Sequence, residues 1–162
     1  MAKSTTKKYK EFDLEKIKRF TEDQVKSLSN KTNELPFCYQ LGKDILVGNY
    51  RVVYVDDKCW RVVDNDVTLF DFFSRKDAIF YCIALHKQDR TTADQIKQAD
   101  DRVARLEFEA IIYRARYKKA IERNDGFKED YYSSRYLDTM DKLETVKKEL
   151  KKTLNLAKYI KE

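Results

Sequence analysis

Between Ala93 and Ile160 the apolar residues recur at gaps of three and four, the period of a helix that buries one face. Ile96, Ala99, Val103, Leu106, Ala110, Tyr113, Tyr117 and Ala120 form an unbroken heptad seam. Tyr132, Tyr136, Met140, Leu143, Val146, Leu150, Leu154, Ala157 and Ile160 repeat less strictly. The pattern predicts two long helices, each about 48 Å long at ~1.5 Å per residue. Asn124-Asp125-Gly126 carries the one glycine of this region, and no proline interrupts either side, so the helices are expected to fold back on each other there. Each begins acidic and ends basic, from Asp94 to Arg123 and from Asp125 to Lys158. That order complements each macrodipole, and antiparallel pairing sets acidic ends beside basic ones.

A second stripe runs along the first of these helices as Ala104, Phe108, Ile111 with Ile112, and Ala115, off the seam. Something else must cover it, either the preceding domain or another protein chain. Several apolar faces on one small protein favour self-association.

The period changes earlier in the chain. Ile45-Leu-Val47, Tyr50-Arg-Val-Val-Tyr-Val55, Cys59-Trp-Arg-Val-Val63 and Val67-Thr-Leu-Phe70 are short β-branched and aromatic runs. Gly48-Asn49, Asp56-Asp57-Lys58 and Asp64-Asn65-Asp66 separate them with turn chemistry. They predict an antiparallel meander of three or four strands, which needs a cover. Ser74-Arg-Lys-Asp77 reads as a capping box opening a helix with Ala78, Ile79, Cys82 and Leu85 on one stripe. Phe70, Phe72 and Phe73 are expected in the core at its start. Thr92-Ala-Asp-Gln95 reads as the start of the first long helix, after a polar connector.

Ahead of the meander, Phe12, Leu14, Ile17 and Phe20 have roughly helical spacing, and Thr21-Glu-Asp-Gln24 resembles another capping box. One or two short amphipathic helices are expected there, followed by a polar linker over Ser29–Glu34 closed by Pro36. Residues 1–11 read as a mobile basic arm. The whole reads as α+β: a small antiparallel β-meander with a covering helix, followed by a long C-terminal antiparallel helical hairpin. The expected divisions are the arm over 1–11, a head over 12–90 and the hairpin over 91–162.

Composition agrees with long helices. Of 162 residues, 38% are charged and 42% hydrophobic, with only three Gly and one Pro. The net charge of +6 is uneven, because residues 1–31 hold nine Lys/Arg against five Asp/Glu. Cys38, Cys59 and Cys82 lack metal or disulfide spacing and read as small hydrophobes of a reducing compartment. No apolar run has the length of a membrane span, and the basic N-terminus has no apolar core of a secretory signal. The expectation is a soluble cytoplasmic protein.

Catalytic patterns are missing. There is no phosphate-binding glycine loop and no H-E-x-x-H, and His86 is the single histidine, placed near a helix end. The paired Asp residues of the strand turns suit the turns themselves and lack the bidentate Glu of a calcium loop. No catalytic, cofactor or metal residue is assigned, and no enzyme activity or small-molecule substrate is expected.

The densest cluster is the hairpin tip, where Tyr113-Arg-Ala-Arg-Tyr117-Lys-Lys119 meets Phe127-Lys-Glu-Asp-Tyr131-Tyr132-Ser-Ser-Arg135-Tyr136. Interleaved aromatics and cations can stack bases and neutralise phosphates, but Glu122, Glu129 and Asp130 offer internal pairing. Tyr and Arg are common anchors of protein interfaces. The candidate partner-binding set is therefore Ala104, Phe108, Ile111, Ala115, Arg116, Lys119, Tyr131, Tyr132 and Arg135. The alternative is a nucleic-acid-binding accessory protein that uses the tip and Lys3, Lys7, Lys8 and Lys10 of the arm.

Trp60-Arg-Val-Val63, Phe73-Ser-Arg-Lys-Asp-Ala-Ile79 and the stretch from Arg105-Leu-Glu107 to Lys158-Tyr-Ile160 resemble small uncharacterised proteins of tailed phages infecting marine bacteria. The resemblance implies a virion or assembly component and carries no functional residue with it. The leading expectation is a non-enzymatic structural or interaction subunit of a larger assembly, located in the host cytoplasm or virion if it is of phage origin.

Overall fold

Strand propensity and turn chemistry place the sheet first. The computed structural model describes residues 9–29 and 35–161, without the side chains of residues 9, 10, 160 and 161. The expected linker over Ser29–Glu34 falls largely outside the described residues. Six strands, β2 (Lys18–Phe20), β3 (Cys38–Leu41), β4 (Asp44–Val47), β5 (Tyr50–Asp56), β6 (Cys59–Asp64) and β7 (Val67–Phe72), form one sheet in that spatial order. Strands β3 to β7 are an antiparallel meander, and β2 joins its edge in parallel to β3.

The turns use the expected residues. Asn65 and Asp66 both have positive φ, at 46° and 68°, which suits a two-residue hairpin. The acids of the β5–β6 turn serve the turn: the Lys58 backbone N–H donates to Asp56 and the Tyr54 hydroxyl to Asp57, both at 2.8 Å. Gly48 has φ +57°, and a Cβ there would stand 3.0 Å from His86 Nδ1 and 3.1 Å from the Phe37 ring. Left-handed backbone and close packing therefore both call for glycine. His86 rests on Phe37 with ring centroids 4.4 Å apart.

One sheet face buries Ile45, Val47, Val52, Val62 and Phe72, and helix α2 (Arg75–His86) packs across β4 to β7. The expected single stripe on α2 is corrected, since every residue from Asp77 to Ala84 is buried. A helix that is apolar all round is covered on more than one side. Part of that cover is Phe12, whose ring meets Phe80 edge-on at 6.0 Å.

The N-terminal region departs from the helical reading. Asp13 caps a 3-10 turn over Leu14–Lys16, and Ile17 is already extended. Lys18–Phe20 then join the sheet as β2, because the exposed edge of β3 offers partners for their backbone groups. Helix α1 (Glu22–Ser29) does start at the expected capping box: the Thr21 N–H donates to Gln24 Oε1 at 2.9 Å, and the Gln24 N–H to Thr21 Oγ1 at 3.2 Å. The meander also begins earlier than Asp44, at Cys38.

Of the expected arm over 1–11, residues 1–8 lie outside the described residues, and Tyr9–Glu11 are strand β1, which pairs antiparallel with β8 (Tyr159–Lys161). The Phe12 N–H donates to the Lys158 carbonyl at 2.7 Å, and Lys158 pairs with Glu11 at 2.9 Å.

Two long helices complete the fold, α3 (Arg90–Glu122) and α4 (Gly126–Ala157). Helix α3 starts two residues before Thr92. Its cap is Asp89, which accepts from the Thr92 N–H at 3.1 Å and the Thr92 hydroxyl at 2.6 Å. Thr92 thus belongs to the first turn and is not the cap. Helix α4 stops at Ala157 and excludes Ile160. The Lys87 ammonium donates to the carbonyls of Leu156 at 3.3 Å, Ala157 at 3.1 Å and Tyr159 at 2.8 Å. Those groups need partners once the helix ends.

The protein is α+β, with a mostly antiparallel sheet, a covering helix and a C-terminal helical hairpin. It divides into two compact units, Met1–Lys97 with Thr153–Glu162, and Gln98–Lys152. Ala93, Ile96, Leu154 and Ala157, at the root of the hairpin, belong to the core of the first.

Candidate interaction surfaces on the helical hairpin

The seam of the second unit is built as heptad spacing requires. Val103, Ala110 and Ala120 of α3 are buried, as are Leu143, Val146 and Leu150 of α4. One seam position is corrected: Met140 is 38% exposed, whereas Thr139 is buried at 5%. With Thr139 the α4 seam of this unit runs 132, 136, 139, 143, 146 and 150, an alternation of four and three. The Thr139 hydroxyl donates to the Arg135 carbonyl at 2.8 Å, so the helix itself satisfies the buried polar group.

At about 100° per residue, each helix has a seam, two flanks and a back. Two contacts between the helices identify the flanks. Glu107 and Lys147 bridge one at 3.3 Å. On the other, Arg116 of α3 lies 5.9 Å from the centroid of the Tyr132 ring of α4.

Ala104, Phe108, Ile111 and Ala115 all fall on the back of α3. Phe108 is 63% and Ile111 61% exposed. Ala104 is half-buried and Ala115 exposed.

The remaining candidates meet on the Arg116 flank near the tip. Arg135 lies 5.3 Å from the Tyr131 centroid, and Tyr131 and Tyr132 are in edge-on contact at 5.3 Å. A hydrogen bond with Tyr131, more than its coulombic field, holds the Arg135 guanidinium above its ordinary pKa. Lys119 is exposed on the same side of α3. Helical phase separates the charges of the tip. Arg116, Lys119, Arg123, Lys128 and Arg135 fall on or beside this flank, Glu122 falls on the back of α3 and Asp130 toward the opposite side, while the field of Asp138 reaches Arg135. Glu129 points into the seam, and Asp125 caps α4 by accepting from the Lys128 N–H at 3.2 Å. Among the described residues, no ion pair involves any of those five cations. The internal pairing that the sequence offered is not made.

Of the basic arm, Lys3, Lys7 and Lys8 lie outside the described residues, and Lys10 is described only as backbone of β1. The cysteines are free. Burial pushes the Cys38 thiol up to about 12, and Cys82 higher still. Among the described residues, no group of three metal-ligating side chains could hold an ion, and no helix is long and apolar enough to cross a membrane. Comparison with protein-family models, curated proteins and solved structures finds no match.

Proposed function

We propose that the protein is a self-associating structural subunit that acts by contact rather than catalysis, with the back of α3 as its docking surface and a second copy as the occupant. The observation that carries this reading is the self-complementary order of that surface. A two-fold axis between residues 109 and 110 sets two α3 helices antiparallel. Phe108 then meets Ile111 of the second copy, Ala104 meets Ala115, and Asp101 meets Lys118. Large apolar groups sit at the centre, small ones beside them and opposite charges outside, the arrangement of an isologous contact.

Four part-exposed apolar side chains are a small contact against an association cost of about 4–15 kcal/mol, so the dimer is expected to be weak. Further contacts in a larger assembly would strengthen it. A phage particle is the setting that the sequence resemblance implies.

Sedimentation and light scattering over a concentration series should reveal a concentration-dependent dimer, abolished by Phe108→Glu. Asp101→Lys should weaken it, and adding Lys118→Asp should restore it. A monomer at every concentration, or a double variant no better than the single, would overturn the reading.

A further inference from the structure

The Arg116 flank of the hairpin tip joins two properties that recur together in sites for single-stranded nucleic acid: cations outside any ion pair among the described residues and accessible aromatic faces. Five cations line or border it with no ion pair among the described residues. Phe127 is 83% exposed and Tyr131 47%. Phe127, Tyr131 and Arg135 follow one another at four-residue steps along α4, about 6 Å apart at ~1.5 Å per residue. The two rings and the guanidinium thus form a ladder beside the cations of α3. Glu122 and Asp130, which would repel phosphate, lie off it, whereas the field of Asp138 reaches Arg135 at the end away from the turn. An acidic peptide would use the cations but gain little from the rings.

We propose that this flank binds single-stranded nucleic acid, its bases stacking on Phe127 and Tyr131 and its phosphates lying along Arg116, Lys119, Arg123 and Lys128. Arg135, stacked on Tyr131, holds that ring as a platform and adds a further charge. The site lies on a different face from the back of α3 and stands independently of self-association.

The test is fluorescence anisotropy on the full chain with labelled single strands of about 20 nucleotides, in DNA and RNA versions, beside the matching duplex and a poly-glutamate peptide. Binding should be tighter to a single strand than to duplex. With about five phosphate contacts, the log–log salt slope should lie near −3.5, a loss on the order of a hundredfold between 50 and 200 mM. Arg116→Gln with Arg135→Gln should reduce the slope by about 1.4. Phe127→Ala with Tyr131→Ala, which leaves net charge unchanged, should weaken binding at least about tenfold. The control pair Arg114→Gln with Lys118→Gln removes the same charge from the other side and should cost less than threefold. Circular dichroism of each variant checks that the helices persist.

Absence of single-strand binding overturns the proposal. So do equal losses from the two charge pairs, or no loss from the aromatic pair, since either reduces the interaction to unspecific attraction. Preference for poly-glutamate overturns it in favour of an acidic protein, and a preference between the DNA and RNA single strands identifies which of the two is the ligand.

Discussion

Asp89 does at one residue what a helix start requires. It accepts from both the N–H and the hydroxyl of Thr92, and these bonds, the hydroxyl's first, hold its carboxyl below the ordinary pKa. The sign of the pH effect follows. A depressed folded pKa contributes stability that is present above the unfolded value and is lost as pH falls through the folded one. Asp89→Ala should therefore cost about 1 kcal/mol at neutral pH. In urea denaturation, most of that difference should disappear once the pH falls below the usual carboxylate range. A difference that persists in strong acid would mean that the side chain matters through packing. Nearby Lys87 shows the opposite balance, since burial lowers its ammonium's pKa while three carbonyls hold it.

At the level of elements, the hairpin turn places its demands on an unexpected residue. Asn124 takes the left-handed conformation at φ +51°, while Gly126 is the first residue of α4, with nothing within 4 Å of an added Cβ. Gly126→Ala should thus stabilise the protein by about 0.5 kcal/mol, and Asn124→Ala should destabilise it by about 1 kcal/mol. Thermal or denaturant melts decide this, and the same sign for both would refute the assignment. Helices, meander and covering helix were legible in the sequence because their periods persist over many residues and their turns use specialised side chains. Thr139 was not, because a search for apolar positions passes over a threonine whose hydroxyl finds its partner within the helix. Strand β2 was missed because Phe12, Leu14, Ile17 and Phe20 fit a helical spacing that pairing with β3 overrides. The stripe of Phe108 and Ile111 was readable as surplus. The placement of Glu122 and Asp130 off the Arg116 flank required the phase of both helices.

For the whole molecule, the pairing of β1 with β8 changes how the N-terminal segment is tested. Deleting residues 1–11 removes β1 and the Glu11 partner of Lys158. It should lower stability by about 1–2 kcal/mol through lost backbone pairs and one ion pair that is exposed on the Glu11 side. Urea denaturation of the truncated chain measures this. Unchanged stability would show that β1 contributes nothing to the fold. If the loss occurs, weaker nucleic-acid binding by the truncated chain is not by itself attributable to missing lysines. Neutralising Lys3, Lys7 and Lys8 individually separates charge from pairing.

The same pairing bears on synthesis. Residues 9–11 and 159–161 are about 150 positions apart. At roughly 5–20 residues per second, the first strand emerges on the order of ten seconds before its partner exists. The meander and α2 are made in that interval and close through local turns, whereas β1 remains an unpaired edge. Chains growing side by side on one messenger would present such edges to each other, and three residues that include Lys10 and Glu11 make a strand too short and too charged to template pairing with the wrong chain.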